Sequence, residues 1–333
     1  MIRAVVNYLI KSAKVLNQPK IGLTMFGGEP TLYPDLCTYA LLYAVNECRA
    51  NNLKLHYRII TNGMRFDDEV QNFLYTWRTI MNGNMDVLVS LDGQPDIQRI
   101  NRIPAAGAGF DSGDQMVKNL NAMRDWCFEN DLPFGKIFRT HSMLTKQSLP
   151  HLFETYKYFT DQGLRASPQL IVEEPWTDED IQIYDNEMNK IFNYVVGKNP
   201  KMLKTQLFGY SGPQKGFIEK QSPFHCAHPN QVRAVTPEGD VYTCHRALYN
   251  FDNCIVGHID ESGNYTPNDE NLQQFLAIQP CDKCQECQNP ACKVCRNYYV
   301  DGKNYGDLRV EIDVYCKLME IDKKYSKLAQ DYL

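Results

Sequence analysis

IGLTMFGGEP (Ile21–Pro30) is the stretch that decides the fold. Six residues, mostly apolar, stop at Gly27-Gly28. A short apolar run ended by glycines reads as a strand buried in a sheet. Before it, MIRAVVNYLIKSAKVL is apolar at positions 2, 5, 6, 9, 10, 13 and 16, one face of a helix. The alternation continues outward. Leu36–Ala50 reads as helix, and Leu55–Ile60 as a strand stopped by Asn62-Gly63. Asp68–Met81 reads as helix, and Met85–Leu91 as a strand stopped by Asp92-Gly93. Asp114–Asn130, Leu149–Gln162 and Thr177–Val196 read as helices, and Lys136–Leu144 and Leu164–Val172 as strands. Strands alternating with helices predict βαβ units and a mostly parallel sheet, an α/β fold. Chemistry in such sheets gathers at the carboxyl ends of the strands.

Three motifs stand at those ends. In Gly27-Gly28-Glu29-Pro30 the glycines permit close backbone approach to a ligand, and Glu29 can accept hydrogen bonds from a ligand ammonium. The plain alternative is a tight turn with a solvated glutamate. Asn62-Gly63 and Asp92-Gly93 are common turn dipeptides. Ser90-Leu91-Asp92-Gly93 is richer, because Asp96, Arg99 and Arg102 follow, and two arginines near a strand end can hold a carboxylate. A solvated basic loop is the alternative.

The chain has 333 residues, with 35 Lys+Arg against 40 Asp+Glu and a net charge of -5. That length predicts two domains, or one α/β barrel with an appendage. The mild acidity gives no footprint for nucleic acid. No run approaches the roughly 18 apolar residues of a membrane span, and Arg3, Asn7 and Lys11 interrupt any signal sequence. The expected compartment is the reducing cytoplasm, where clustered cysteines are metal ligands or catalysts more often than disulfides.

The 12 cysteines are unevenly spread. Cys37, Cys48 and Cys127 are scattered; the rest lie between Cys226 and Cys316. The Gly/Pro/Ser-rich stretch Gly209–Pro223 marks the change, dividing the chain into residues 1–215 and 222–333. In the second part, Val232–Val235 and Asp240–Thr243 read as a hairpin around Pro237-Glu238-Gly239, flanked by Cys226 and Cys244. Cys254 follows, then CDKCQECQNPACKVC with Cys281, Cys284, Cys287, Cys292 and Cys295, and finally Cys316. Thiolates this dense repel one another unless a cation holds them. Zn²⁺ and iron–sulfur clusters both do so with four thiolates. Two such centres would use all but one of these cysteines.

Together these features resemble the radical S-adenosylmethionine (SAM) superfamily with a C-terminal SPASM domain, in its anaerobic sulfatase-maturase and peptide-maturase branch. FGGEPTL (Phe26–Leu32) resembles the family's GGEP motif, and ITNG and SLDG fall where its next two strand ends lie. SLDGQPDIQRINRIPAAGAGFD resembles the maturase segment that leads into an Arg- and Gly-containing loop. Cys226-x12-Gly239-x4-Cys244 fits the first SPASM element. Cys284-x2-Cys287-x4-Cys292-x2-Cys295 resembles the second with its last two gaps one residue short, and Cys316 fits the closing cysteine. The resemblance implies a partial (β/α)6 radical SAM barrel lacking its first strand, followed by a small cysteine-rich SPASM domain.

It also implies roles. Gly27, Gly28, Glu29 and Pro30 would hold the SAM amino group, and Asn62, Ser90, Asp92 and Arg102 would line the rest of the SAM site. One auxiliary [4Fe–4S] cluster would take Cys226, Cys244 and Cys295 with Cys254 or Cys281; the other would take Cys284, Cys287, Cys292 and Cys316. His245 would be a base, where sulfatase maturases carry an Asp. The implied partners are a peptide or protein substrate and an electron donor such as flavodoxin or ferredoxin, with no nucleic acid and no membrane.

One departure is large. The C-x3-C-x2-C motif of the SAM-cleaving cluster is absent, since no cysteine precedes Cys37. A barrel lacking that unit leaves Ile21–Phe26 as an unpaired edge, so the expectation is a missing N-terminal segment or a second chain that supplies it. Three functional readings follow. The first is an enzyme that uses a 5′-deoxyadenosyl radical to modify a peptide. The second is a non-catalytic relative that binds a peptide or partner, or carries electrons. The third, which ignores the ordered N-terminal matches and ranks last, is a structural zinc protein.

Overall fold

The structure is a computed structural model that describes residues 1–166, 168–171, 174–199, 233–248, 254–277, 312–330 and 332. The expected alternation is present. α1 (Ile2–Val15) is followed by β1 (Lys20–Met25), α2 (Pro34–Ala50), β2 (Lys54–Thr61), α3 (Asp68–Ile80) and β3 (Val87–Val89). Next come α4 (Pro95–Asn101), α5 (Ser112–Glu129), the single turn α6 (Phe134–Ile137), β4 (Phe138–Thr140) and β5 (Ser142–Leu144). α7 (Leu152–Asp161), β6 (Pro168–Leu170) and α8 (Asp178–Lys198) complete this part. β1 to β4 form one sheet in chain order, with β2–β3 and β3–β4 parallel, and β5 pairs with β6 in parallel.

Three differences from the sequence reading have physical causes. The strand expected over Lys136–Leu144 is a helical turn and two short strands that break at His141. β4 pairs with β3, but the Met143 N–H is taken by the Asp92 carboxylate at 2.8 Å, and β5 turns to β6 instead. β3 is shorter than Met85–Leu91 because Leu91 N–H turns back to the Val89 carbonyl at 3.0 Å. α4 lies where a loop was read, with Pro95 in its first turn. Val172, the expected end of the last strand, lies outside the described residues.

Packing groups the chain into two compact units. The first takes residues 1–23, 42–56 and the described residues of 214–310. Here β7 (Ala234–Val235), β8 (Asp240–Tyr242), β9 (Ile255–Ile259) and β10 (Tyr265–Pro267) form an antiparallel sheet in the order β10-β9-β8-β7, followed by α9 (Asp269–Ala277). The β7–β8 pair is the expected hairpin. α1 is buried on two sides. Ala4 packs with Val241, Val256 and Ile259, while Val6, Ile10 and Ala13 pack with Ile21, Ala44 and Cys48. The Lys11 Nζ donates to the Asn264 Oδ1 at 3.0 Å. Sequence composition divides the chain once; packing places α1 with the antiparallel sheet.

The second unit takes residues 24–41 and the described residues of 57–213 and 311–333. Its sheet buries Tyr57, Ile59 and Thr61 of β2, Val87 and Val89 of β3, and Phe138 and Thr140 of β4. The alternate residues Arg58, Ile60, Leu88 and Arg139 are half-buried, the period of two that a sheet imposes. On that second face Arg58 and Arg139 both bind Asp86. Burial pushes the Asp86 carboxyl upward, but hydrogen bonds from the two guanidiniums outweigh it and hold it below the usual range. α10 (Ile312–Gln330) is tied to α8: the Tyr184 hydroxyl donates to Asp322 at 2.6 Å, and Lys317 and Lys324 pair with Asp178 and Asp185.

Candidate active site

Gly27 and Gly28 follow β1 with φ of +81° and +53°, and among the described residues nothing lies within 4 Å of the place a Cβ would occupy at either. The left-handed backbone explains the glycines. The open space means that neither is needed for packing, and it leaves a cradle beside the chain. Glu29 then turns back onto its neighbours. Its Oε1 accepts from Thr31 N–H at 3.1 Å, from the Thr31 hydroxyl at 2.7 Å and from the Thr61 hydroxyl at 2.6 Å. Its Oε2 accepts from Asn62 N–H at 2.7 Å. Three donors crowd one oxygen, so Oε2 keeps acceptor capacity for a ligand. Pro30 is buried and starts a short 3-10 turn, Pro30–Leu32.

The end of β2 is fixed from three sides. Asn62 accepts from Met64 N–H at 2.8 Å, forming an Asx turn. Arg65 donates through Nη1 to the Thr31 carbonyl at 2.9 Å and pairs with Asp67 and Glu69. From α5, buried Asn119 donates through Nδ2 to the Gly63 carbonyl at 2.8 Å, while Gln115 donates to Asn119 Oδ1 at 3.1 Å. Asn119→Ala removes the donor from a buried carbonyl and is expected to lower stability by about 1–3 kcal/mol. Asn119→Asp, which cannot donate, should do no better. Urea unfolding of both checks this; wild-type midpoints would show that α5 does not hold the loop.

At the end of β3, Ser90 N–H donates to the Thr61 carbonyl at 2.8 Å, so consecutive strand ends are joined. Asp92 is buried. Arg102 grips it with both arms, Nε to Oδ2 at 2.6 Å and Nη2 to Oδ1 at 3.1 Å. Asp92 N–H donates to the Gln98 Oε1 at 2.9 Å. Gln98 is wholly buried, and its Nε2 has no partner among the described residues. Arg99 binds Asp111, Asp96 and Asp114 at 2.9, 2.6 and 2.7 Å. Both arginines therefore do hold carboxylates, but those of the chain itself.

The cysteines fall into two kinds. Burial, with the Glu29 charge adding to it, pushes the Cys37 thiol up to about 12. Burial and Glu47 push Cys48 to about 11, and burial alone pushes Cys127 to about 12. These three are core thiols. Cys244 and Cys254 are buried together with Tyr242 and Ala247 in the first unit. Cys316 is half-buried on α10 in the second. Cys226, Cys281, Cys284, Cys287, Cys292 and Cys295 lie outside the described residues. His245 is exposed in the 3-10 turn after Cys244. Among the described residues no three His, Cys, Asp or Glu side chains converge as a metal requires, and no helix is long and apolar enough to cross a membrane.

Thr31, Gln98 and Asn119 carry no role in the sequence reading, and Thr61 enters it only within the strand-end motif Thr61-Asn62-Gly63. Asn119 carried a signal, since it stands on the same α5 face as buried Met116, Leu120 and Met123. So did Thr61, in step with Tyr57 and Ile59 on the buried face of β2.

No protein-family model matches the chain. In sequence it is 23% identical over 274 residues to the mycofactocin maturase MftC of Mycobacterium tuberculosis, a match over 78% of this chain and 62% of that protein. The chain thus spans less than two thirds of the length of the curated relatives it matches. In structure it is similar to native anSMEcpe with bound AdoMet, with a TM-score of 0.68 at 17% identity over 98% of this chain and 90% of that one. It is also similar to native anSMEcpe with bound AdoMet and a peptide, with a TM-score of 0.63 at 18% identity over the same shares. The α/β fold is that of these structures, and the sequence similarity is to a maturase.

Proposed function

We propose that this chain is the SAM-binding and auxiliary-cluster part of a radical SAM/SPASM enzyme that modifies a peptide or protein. The observation that carries this is the stitching of three successive strand ends, Gly27–Pro30, Thr61–Gly63 and Ser90–Asp92, around one carboxylate and one open glycine pair. SAM with a reduced iron–sulfur cluster supplies, when bound, a 5′-deoxyadenosyl radical for hydrogen abstraction. The chain's own residues position and shield. The Gly27 and Gly28 backbone offers close approach. Glu29 Oε2 accepts from the SAM ammonium, and Asn62, Ser90, Asp92 and Arg102 hold the loops that line the site. Buried Cys244 and Cys254 suit an iron–sulfur centre as soft donors in a dry pocket. His245, exposed in the turn after Cys244, would serve as the base.

In this reading the barrel is a partial (β/α)6 barrel with β1 at its open edge. SAM cleavage in this reading needs C-x3-C-x2-C thiolates, which these 333 residues do not contain. A second reading is a non-catalytic relative that keeps the auxiliary centres and binds a peptide or partner, or carries electrons.

Anaerobic purification with iron, sulfide and zinc measured per chain tests the proposal. About eight iron and eight sulfide are expected for two [4Fe–4S] centres. Zinc with little iron, even after cluster reconstitution, would refute both readings. SAM binding and cleavage, with the missing thiolates supplied, separate the first reading from the second.

A further inference from the structure

We infer that Thr31 and Thr61 are positioning residues, whose hydroxyls hold Glu29 Oε1 so that Oε2 alone meets the ligand ammonium; this rests on the SAM reading above. Both threonines are buried, while Glu29 is half-buried. A carboxylate only accepts, so each hydroxyl gives it its single proton. The contacts, 2.7 Å from Thr31 and 2.6 Å from Thr61, are short, as hydroxyl contacts to a charged acceptor are. The Thr61 hydroxyl also accepts from Gly63 N–H at 3.1 Å, and its carbonyl accepts from Ser90 N–H at 2.8 Å. One residue thus ties Glu29 to the ends of β2 and β3.

Capping the local turn does not account for this arrangement. Glu29 caps Pro30–Leu32 through the Thr31 N–H, which takes a single bond. The Thr61 hydroxyl and the Asn62 N–H come from 32 and 33 residues further along and add nothing to that turn. Fixing a glutamate side chain costs rotamer freedom that a solvated glutamate keeps. Among the described residues no cation pairs with Glu29, and the glycine pair just before it leaves open space. A carboxylate immobilised by four neutral donors, without a cation of its own, is set for a cationic group from outside the chain.

The test uses the full chain, purified anaerobically and titrated by calorimetry with SAM and with 5′-methylthioadenosine. The second probe lacks the amino-acid group and therefore the ammonium. Wild type is read first: if it does not bind SAM more tightly than 5′-methylthioadenosine, the SAM reading itself fails, before any variant bears on the threonines. With that preference present, Thr61→Val should weaken SAM binding about tenfold, the size of one lost hydrogen bond to a charged group, and leave 5′-methylthioadenosine unchanged. Thr31→Val should do the same. Thr61→Ser keeps the hydroxyl and should bind SAM as wild type does. A slackened loop would weaken both probes alike, and that result overturns the assignment. So does SAM binding at wild-type strength in either valine variant, or a Thr61→Ser that behaves like Thr61→Val. If Thr61→Val does not fold, Thr31→Val carries the test with the same outcomes, because it removes a hydroxyl from the same oxygen and lies outside the sheet.

Discussion

Arg102→Ala is expected to lower folding stability by about 3 kcal/mol, the low end of the range for breaking a buried ion pair. Asp92 is almost wholly buried, with 1% of its side chain exposed, whereas Arg102 keeps 33% exposed. Removing the guanidinium leaves a carboxylate in the protein interior with, among the described residues, only the Met143 N–H still aimed at it. The exposed third of Arg102 means that solvent already screens part of the pair, hence the low end. Arg102→Lys keeps the charge but not the two-armed grip, so it should recover only part of the loss. The decisive comparison is the double variant Arg102→Ala with Asp92→Asn. If the penalty is an unpaired buried charge, the double variant is more stable than Arg102→Ala alone. Guanidinium unfolding of the four proteins in a cycle measures this. A double variant less stable than both singles would mean that the pair is not the origin of the effect.

Gly63→Ala should cost a similar amount for a different reason. Its φ of +71° is strained for any L residue, and the added methyl would stand 2.5 Å from the Val89 Cγ1. Strain of about 1–2 kcal/mol adds to overpacking of about 1–3 kcal/mol. Val89 is buried in β3 between β2 and β4 and is not the loose end of a flexible chain. Val89→Ala should therefore relieve the collision in the double variant while leaving the torsional part, so the two substitutions should combine less than additively. Thermal unfolding reads this directly; strict additivity would place the collision elsewhere. Because Gly63 also offers its carbonyl to Asn119, the same variant should disturb the Asn62 N–H that reaches Glu29.

Much of this was legible in the sequence. The runs Ile21–Phe26 and Leu55–Ile60 are apolar and end in glycine turns, so strand, period and strand end could all be read from composition. The alternation of helix and strand identified the sheet as parallel. The break at His141 was not legible, because it depends on Asp92, about fifty residues earlier, taking the Met143 N–H. α1 shows the same limit. Its apolar stripe was plain, but a stripe does not say which partner it meets, and here it meets two. At the site, Glu29 and Asp92 stood out as carboxylates beside glycines. The donors that meet them include Thr61 and Asn62 at the end of β2, Arg102 just after α4 and Met143 in β5, and no local pattern announces such long-range pairings. Two arginines near Asp92 suggested a ligand carboxylate, when the chain's own acids were close enough to take both.

Gly27 and Gly28 contrast with Gly63 in how substitution would be selected against. At Gly63 volume matters, and each added atom worsens the collision with Val89. At the paired glycines a Cβ meets no described atom within 4 Å, and the handedness of the backbone is what resists it. The penalty there is torsional: alanine bears it without a collision, and asparagine, which tolerates the left-handed region, bears the least. The loop ahead of Glu29 is thus a filter for chirality, and the volume it leaves empty stays available to whatever the protein binds.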